Sequence, residues 1–162
     1  MAAIDPPTLL TPESAAVSPR VETSPRARPA RAAVGVMVVD DQEVFRSVAR
    51  EVIDATPGFE AIGEAACADE ALVLAEHVDP DLVLLDVRMP RIDGLETARR
   101  LRASNPHCTI VLASTESVDR LPPGVADCGA ATLIRKEDFG PATLRRLWTE
   151  HGSPPSATGS AA

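Results

Sequence analysis

A chain of 162 residues, 44% of them apolar, has material for one ordinary hydrophobic core. Its net charge is −8, and residues 1–33 hold four arginines against three acidic residues. The rest of the chain therefore carries all of the net negative charge, which argues against DNA, RNA or anionic lipid as a partner. With no tyrosine, one tryptophan and three phenylalanines there is little to stack on bases, so the acidic groups point to a cation or a basic partner.

Cys67, Cys108 and Cys128 are odd in number and widely spaced, which matches neither a disulfide framework nor a zinc set; they read as reduced residues of a cytoplasmic protein. No apolar run approaches the roughly 18 to 20 residues of a membrane span, and the N-terminus lacks the order of a secretory signal. Residues 1–33, with six prolines among Ala, Ser, Thr and Arg, read as a disordered tail, as do residues 152–162, GSPPSATGSAA. The folded unit is expected over 34–151.

Within that unit GVMVV (35–39) is a short apolar run ending at Asp40. The pattern of 42–55 predicts a helix with Val44, Val48 and Val52 on one face together with Phe45 and Ile53. FEAIGEA (59–65) alternates as a strand, and a helix over 69–76 turns Leu72 and Ala75 inward. LVLLD (82–86) is a continuous apolar strand, and a helix after Gly94 buries Leu95, Ala98 and Leu101. TIVLA (109–113) and ATLIR (131–135) are two more buried runs. A last helix carries Leu144, Leu147 and Trp148, with Pro141 suited to its first turn. Five apolar strands alternating with helices predict a parallel sheet covered on both faces, and in an open sheet of that kind ligands sit beyond the carboxyl ends of the strands.

Those ends carry Asp40-Asp41, Asp86, Ser114-Thr115 and Lys136. Taken singly, Asp41 and Ser114 suit helix caps and Lys136 a solvated side chain, and Asp86 suits a cap, a metal ligand or a nucleophile. Taken together, three converging carboxylates repel one another unless a cation joins them. A hard divalent ion that keeps some of its waters suits such an incomplete oxygen cage. A carboxylate beside it can act as a nucleophile and form an acyl phosphate, with a lysine and a hydroxyl holding the transferred group.

Asp40-Asp41, Asp86 followed by MPRIDG (89–94), Ser114 closing IVLAS, and Lys136 after LIR together resemble the receiver domain of two-component response regulators, of the stand-alone type. The resemblance implies a flavodoxin-like, doubly wound five-stranded parallel sheet of order 2-1-3-4-5 with helices on both faces. It implies that Asp86 accepts a phosphoryl group from a sensor histidine kinase or phosphotransfer protein, in a module that is not an enzyme. Asp40, Asp41, Asp86 and the backbone carbonyl of Arg88 would hold Mg2+ (or Mn2+). Ser114 and Lys136 would bind the phosphoryl oxygens, with Thr115 as the neighbour of the switch hydroxyl, and Pro90 and Gly94 would shape the loop after the acceptor. The signal would pass to a downstream protein by contact, from a monomer or weak homodimer.

Two departures from the family pattern bear on output. Leu133 stands where relatives carry an aromatic residue in strand 5. The region of the fourth helix, SVDRLPPGVADC (117–128), holds Pro122, Pro123 and Gly124. An interior proline costs a helix about 3 kcal/mol, so this helix is expected to be shortened to a turn or replaced by a loop. A receiver-like scaffold that binds without phosphorylation is one alternative. An aspartate-nucleophile phosphatase of the haloacid dehalogenase type is another, but there a second aspartate stands two residues after the nucleophile, where this chain has Arg88, which cannot donate a proton at neutral pH. His77, His107 and His151 show no metal spacing.

Overall fold

The structure is a computed structural model that describes residues 30–153; the expected tails, 1–33 and 152–162, lie almost wholly outside the described residues. Strands β1 (Val34–Val39), β2 (Phe59–Ala65), β3 (Leu82–Asp86), β4 (Thr109–Ser114) and β5 (Thr132–Arg135) form one parallel sheet of order β2-β1-β3-β4-β5. Helices α1 (Glu43–Ala55), α2 (Ala68–Val78), α3 (Gly94–Ser104) and α4 (Pro141–His151) cover it.

Alternation along the strands divides the core in two. Met37, Val39, Val83, Leu85, Ile110 and Leu112 pack with Ala71, Ala75, Leu95, Ala98 and Leu101 beneath α2 and α3. Val36, Val38, Leu82, Leu84, Val111 and Ala113 pack with Ala49, Ile53, Leu144 and Leu147 beneath α1 and α4. β3 and β4 are apolar on both sides because both sides are covered, and every residue of both strands is buried.

The inward face of α1 differs from the expected one. Val44 is 78% exposed and Val48 49%, whereas Ala49 and Ile53 are fully buried and Phe45 packs against the same cluster. Two stripes at helical spacing overlap in this segment, and the one with the small Ala49 at its centre faces the sheet. Val44 and Val48 are turned to solvent and Val52 is half-buried.

In the region of the expected fourth helix stand two 3-10 turns, Val118–Arg120 and Val125–Asp127, with Pro122, Pro123 and Gly124 between them. Gly124 adopts φ 97°, a left-handed conformation open to glycine at little cost. Leu121, Val125 and the buried Cys128 still pack onto the α2/α3 side of the core, so the core is covered there without a helix.

At the opposite end of the sheet from the strand termini described below, Arg31 donates to the carbonyls of Val78 and, at 3.0 Å, of Asp79, where α2 ends. These are carbonyls that a helix leaves unsatisfied at its C-terminus. Arg31 therefore docks although it belongs to the segment expected to be tail.

Candidate functional site

Four strands deliver polar residues to one end of the sheet. Asp40 follows β1, Asp86 ends β3, Ser114 ends β4, and Lys136 opens a 3-10 turn (Lys136–Asp138) directly after β5. β1 and β3 are neighbours although β2 lies between them in sequence, so Asp40 and Asp86 stand at the point where the strand order reverses.

The strands are apolar to their last residue, which buries the carboxylates that follow. Asp40 is fully buried and Asp86 is 6% exposed, while Asp41 lies at the surface. One carboxylate oxygen from each of Asp40, Asp41 and Asp86 falls within 4.8 Å of the others. Asp40 Oδ1 accepts from the Gln42 N–H at 2.9 Å. Asp40 Oδ2 makes an ion-pair contact with Lys136 Nζ at 2.5 Å but no hydrogen bond of ordinary geometry, alone in this among the buried side-chain nitrogens and oxygens of the described residues. Nζ also lies 3.5 Å from Asp86 Oδ1, and the Lys136 side chain is only 8% exposed. A single ammonium thus faces three acidic groups, leaving the cluster short of positive charge.

Asp86 registers that shortage. Its carboxyl is pushed up to about 6, first by burial and then by the Asp40 carboxylate and the hydrogen bond with Asp41; the Lys136 ammonium and the Arg88 N–H offset only part of this. A second cation would relieve the repulsion. The all-oxygen donor set fits a hard divalent ion, so the cluster is capable of coordinating one.

Asp86 is not a helix cap, because that role for α3 falls to Asp93, whose side chain accepts from the Glu96 N–H at 2.9 Å. Nor does Asp41 cap α1, which begins after Gln42 with no side-chain cap bond. Gly94 is fixed by space: a Cβ there would lie 2.1 Å from the Asp86 carbonyl oxygen, so only glycine lets α3 start directly against the loop after β3.

Ser114 is buried as the last residue of β4, and its Oγ accepts from the Glu116 N–H at 3.0 Å; Thr115 is exposed. The Arg88 N–H donates to Asp86 Oδ1 at 3.2 Å while its side chain leaves the site for Glu116 and the Arg120 carbonyl. Leu133 packs against the α2/α3 side of the core.

Sequence reasoning missed two participants. Glu116 stands two residues beyond Ser114, as Arg88 does beyond Asp86, and since β3 and β4 are paired side by side these equal offsets are the signal that brings the two together. Phe45 stands four residues past Asp41, in the first turn of α1, and its ring lies under Lys136 Nζ at 4.8 Å from the centroid.

The fold is doubly wound, and its switch point carries an acidic cluster capable of coordinating a divalent cation. The chain belongs to the response regulator receiver domain family, whose model matches residues 36–147. It is 35% identical over 103 residues to the response regulator GacA of Pseudomonas aeruginosa, an alignment covering 64% of this chain and 48% of that protein. The chain spans about half the length of the curated relatives it matches. Among solved structures, a LuxR-family two-component response regulator from Aurantimonas superposes with a TM-score of 0.65 at 27% identity, covering 73% of this chain and 84% of that one. The Vibrio cholerae chemotaxis protein CheY4 superposes with a TM-score of 0.63 at 28% identity, covering 74% of this chain and 99% of that one.

Receiver domains are typical of phosphorelay signalling and are signalling modules, not enzymes, which sets the phosphatase alternative aside. The acidic cluster is consistent with a phosphoacceptor site. No helix among the described residues is long and apolar enough to cross a membrane.

Proposed function

We propose that this receiver takes a phosphoryl group onto Asp86 from a sensor histidine kinase or a phosphotransfer protein and passes the signal to a downstream protein by contact. The observation that carries this reading is the pairing of a buried carboxylate at the end of β3 with the nearly buried Lys136 ammonium, 3.5 Å away, beside a cluster of three carboxylates. Both sources and the target are proteins, in keeping with the acidic, aromatic-poor surface. Three free cysteines fit the reducing cytoplasm.

In the transfer, an Asp86 carboxylate oxygen attacks phosphorus, the bond from phosphorus to the donor's imidazole nitrogen breaks, and that nitrogen keeps the electron pair. Asp86 must be ionised to attack. A bound divalent cation would favour that ionised form, as the Lys136 ammonium beside it does. Asp40, Asp41, Asp86 and the Arg88 carbonyl are the groups that would hold Mg2+ (or Mn2+), which when bound supplies positive charge to the phosphoryl oxygens. Lys136 pairs with one phosphoryl oxygen and the Ser114 hydroxyl donates to another. The hydroxyl can donate while its oxygen still accepts the Glu116 N–H, so a Ser114 that turns to the phosphoryl group draws the loop after β4 toward the site.

A scaffold that binds without phosphorylation is favoured by one feature, the pair of 3-10 turns in the region of the fourth helix. Titration with Mg2+ and beryllofluoride, followed by backbone amide shifts, separates the two. The phosphoacceptor reading expects shifts at Asp86 and Ser114 that spread through residues 116–128. Shifts that stay flat at saturating beryllofluoride contradict it and favour the scaffold.

A further inference from the structure

The Lys136 ammonium has three neighbours: Asp40 Oδ2 at 2.5 Å, Asp86 Oδ1 at 3.5 Å and the face of the Phe45 ring at 4.8 Å from its centroid. The ring is not held by α1 alone. Phe139, which closes the turn begun by Lys136 through its N–H to the Lys136 carbonyl at 3.2 Å, packs its ring against Phe45 at 6.5 Å and 53°. The aromatic pair therefore joins the first turn of α1 to the turn that presents the lysine.

We propose that Phe45 is a positioning residue for phosphoryl transfer, its ring holding the Lys136 ammonium where it reaches Asp86. The inference rests on the phosphoacceptor reading above and adds to it a residue that is neither charged nor a ligand.

The physical case turns on which of the three neighbours stays constant. Asp40 is one of the carboxylates that would hold the cation, so a bound cation competes with its grip on Lys136, and Asp86 changes its charge distribution once phosphorylated. The ring's quadrupole does neither. A nearly buried ammonium with little water around it is where attraction to an aromatic face is strongest. Since Nζ already lies within reach of Asp86, the resting position is the working position, and the ring reduces the ordering that lysine must undergo when the phosphoryl group arrives.

A bland role for Phe45 as packing for the α1/α4 core makes a different prediction, because fluorinated phenylalanines keep the size and apolar character of the ring while weakening its negative face. The full chain carrying mono-, di- or trifluorophenylalanine at position 45, together with Phe45→Leu and Phe45→Trp, is titrated with beryllofluoride at saturating Mg2+ and, separately, with Mg2+ alone. The Lys136 ε-methylene proton shift is recorded in each protein. The proposal expects a ring-current shift on those protons that Phe45→Leu abolishes. It expects beryllofluoride affinity to fall about three- to tenfold in Phe45→Leu, stepwise with fluorination, and to be retained in Phe45→Trp, while affinity for Mg2+ alone changes little. Flat affinity across the fluorinated series overturns it, as does an equal fall in affinity for Mg2+ alone. Should Phe45→Leu not fold, the fluorinated series carries the test. A wild type that binds no beryllofluoride removes the phosphoacceptor reading itself, an outcome distinct from a flat series on a wild type that binds.

Discussion

The guanidinium of Arg88 reaches across the mouth of the site and donates from Nε and Nη2 to one oxygen of Glu116, at 3.0 and 2.8 Å. Nη2 also donates to the Arg120 carbonyl at 3.2 Å. The Arg88 N–H bonds Asp86 and the Glu116 N–H bonds Ser114, so this one ion pair ties the loop after β3 to the loop after β4 and to the first of the two 3-10 turns.

Replacing Arg88 or Glu116 should loosen that tie without harming the fold. The side chains are 60% and 33% exposed, and pairs of this kind contribute about 0.2–1 kcal/mol. Arg88→Ala and Glu116→Gln are expected to leave the urea midpoint nearly unchanged while amide exchange at Arg120 and Leu121 becomes faster. Unchanged exchange at those amides would show that the clasp does not hold the segment.

Gly94→Ala should be strongly destabilising, because the new Cβ would meet the Asp86 carbonyl oxygen at 2.1 Å and the obstacle is backbone, which cannot swing away. A loss of about 3 kcal/mol in urea unfolding is expected. A midpoint equal to that of the wild type contradicts the close approach of α3 to the loop after β3.

The raised carboxyl of Asp86 gives a pH dependence with a definite sign. A carboxyl at about 6 in the folded protein, against 3.8 unfolded, binds its proton more tightly when folded. Its contribution to stability is therefore fully present below pH 3.8 and is lost as pH rises through about 6. Asp86→Asn removes that loss. In the absence of divalent cations, the variant should be more stable than the wild type at pH 7.5 by about 1 kcal/mol, a figure discounted for solvent screening. The advantage should shrink below pH 6 and on adding Mg2+, which relieves the same repulsion in the wild type. An advantage independent of pH would show that the acidic cluster is not its cause.

Arg31→Ala removes two donors from the C-terminal carbonyls of α2 and should cost about 1–2 kcal/mol of thermal stability. Arg31→Lys should recover only part of it, since an ammonium lacks the planar fork. No difference between Arg31→Ala and the wild type would mean that the chain ahead of β1 is not docked.

The sheet and the four strand-end residues were readable because each rests on a local signal, clearest in β1, β3 and β4: an apolar run of four or five residues, then a polar side chain that such a run has no reason to bury. The Pro-Pro-Gly interruption was equally local, and no helix forms across it. What escaped depends on tertiary distance. Counting hydrophobicity favours the Val44/Val48 stripe of α1, yet the sheet selects the face with Ala49, where the helix can approach closely. Leu121, Val125 and Cys128 pack on the core from irregular backbone that carries no period to read. The Arg88–Glu116 clasp and the Phe45 ring beneath Lys136 each join residues at least 28 positions apart. The paired ends of β3 and β4 bring the first two together, and the packing of α1 beside the turn after β5 brings the second two together.

The central claim is that Asp86 accepts the phosphoryl group. Incubating the protein with Mg2+ and acetyl phosphate and measuring its intact mass tests this most directly. The wild type should gain one phosphoryl group that hydroxylamine removes, as expected of an acyl phosphate, and Asp86→Asn should gain none. An equal gain on Asp86→Asn, or a wild type that stays unmodified while a known receiver is labelled in the same tube, would contradict the account.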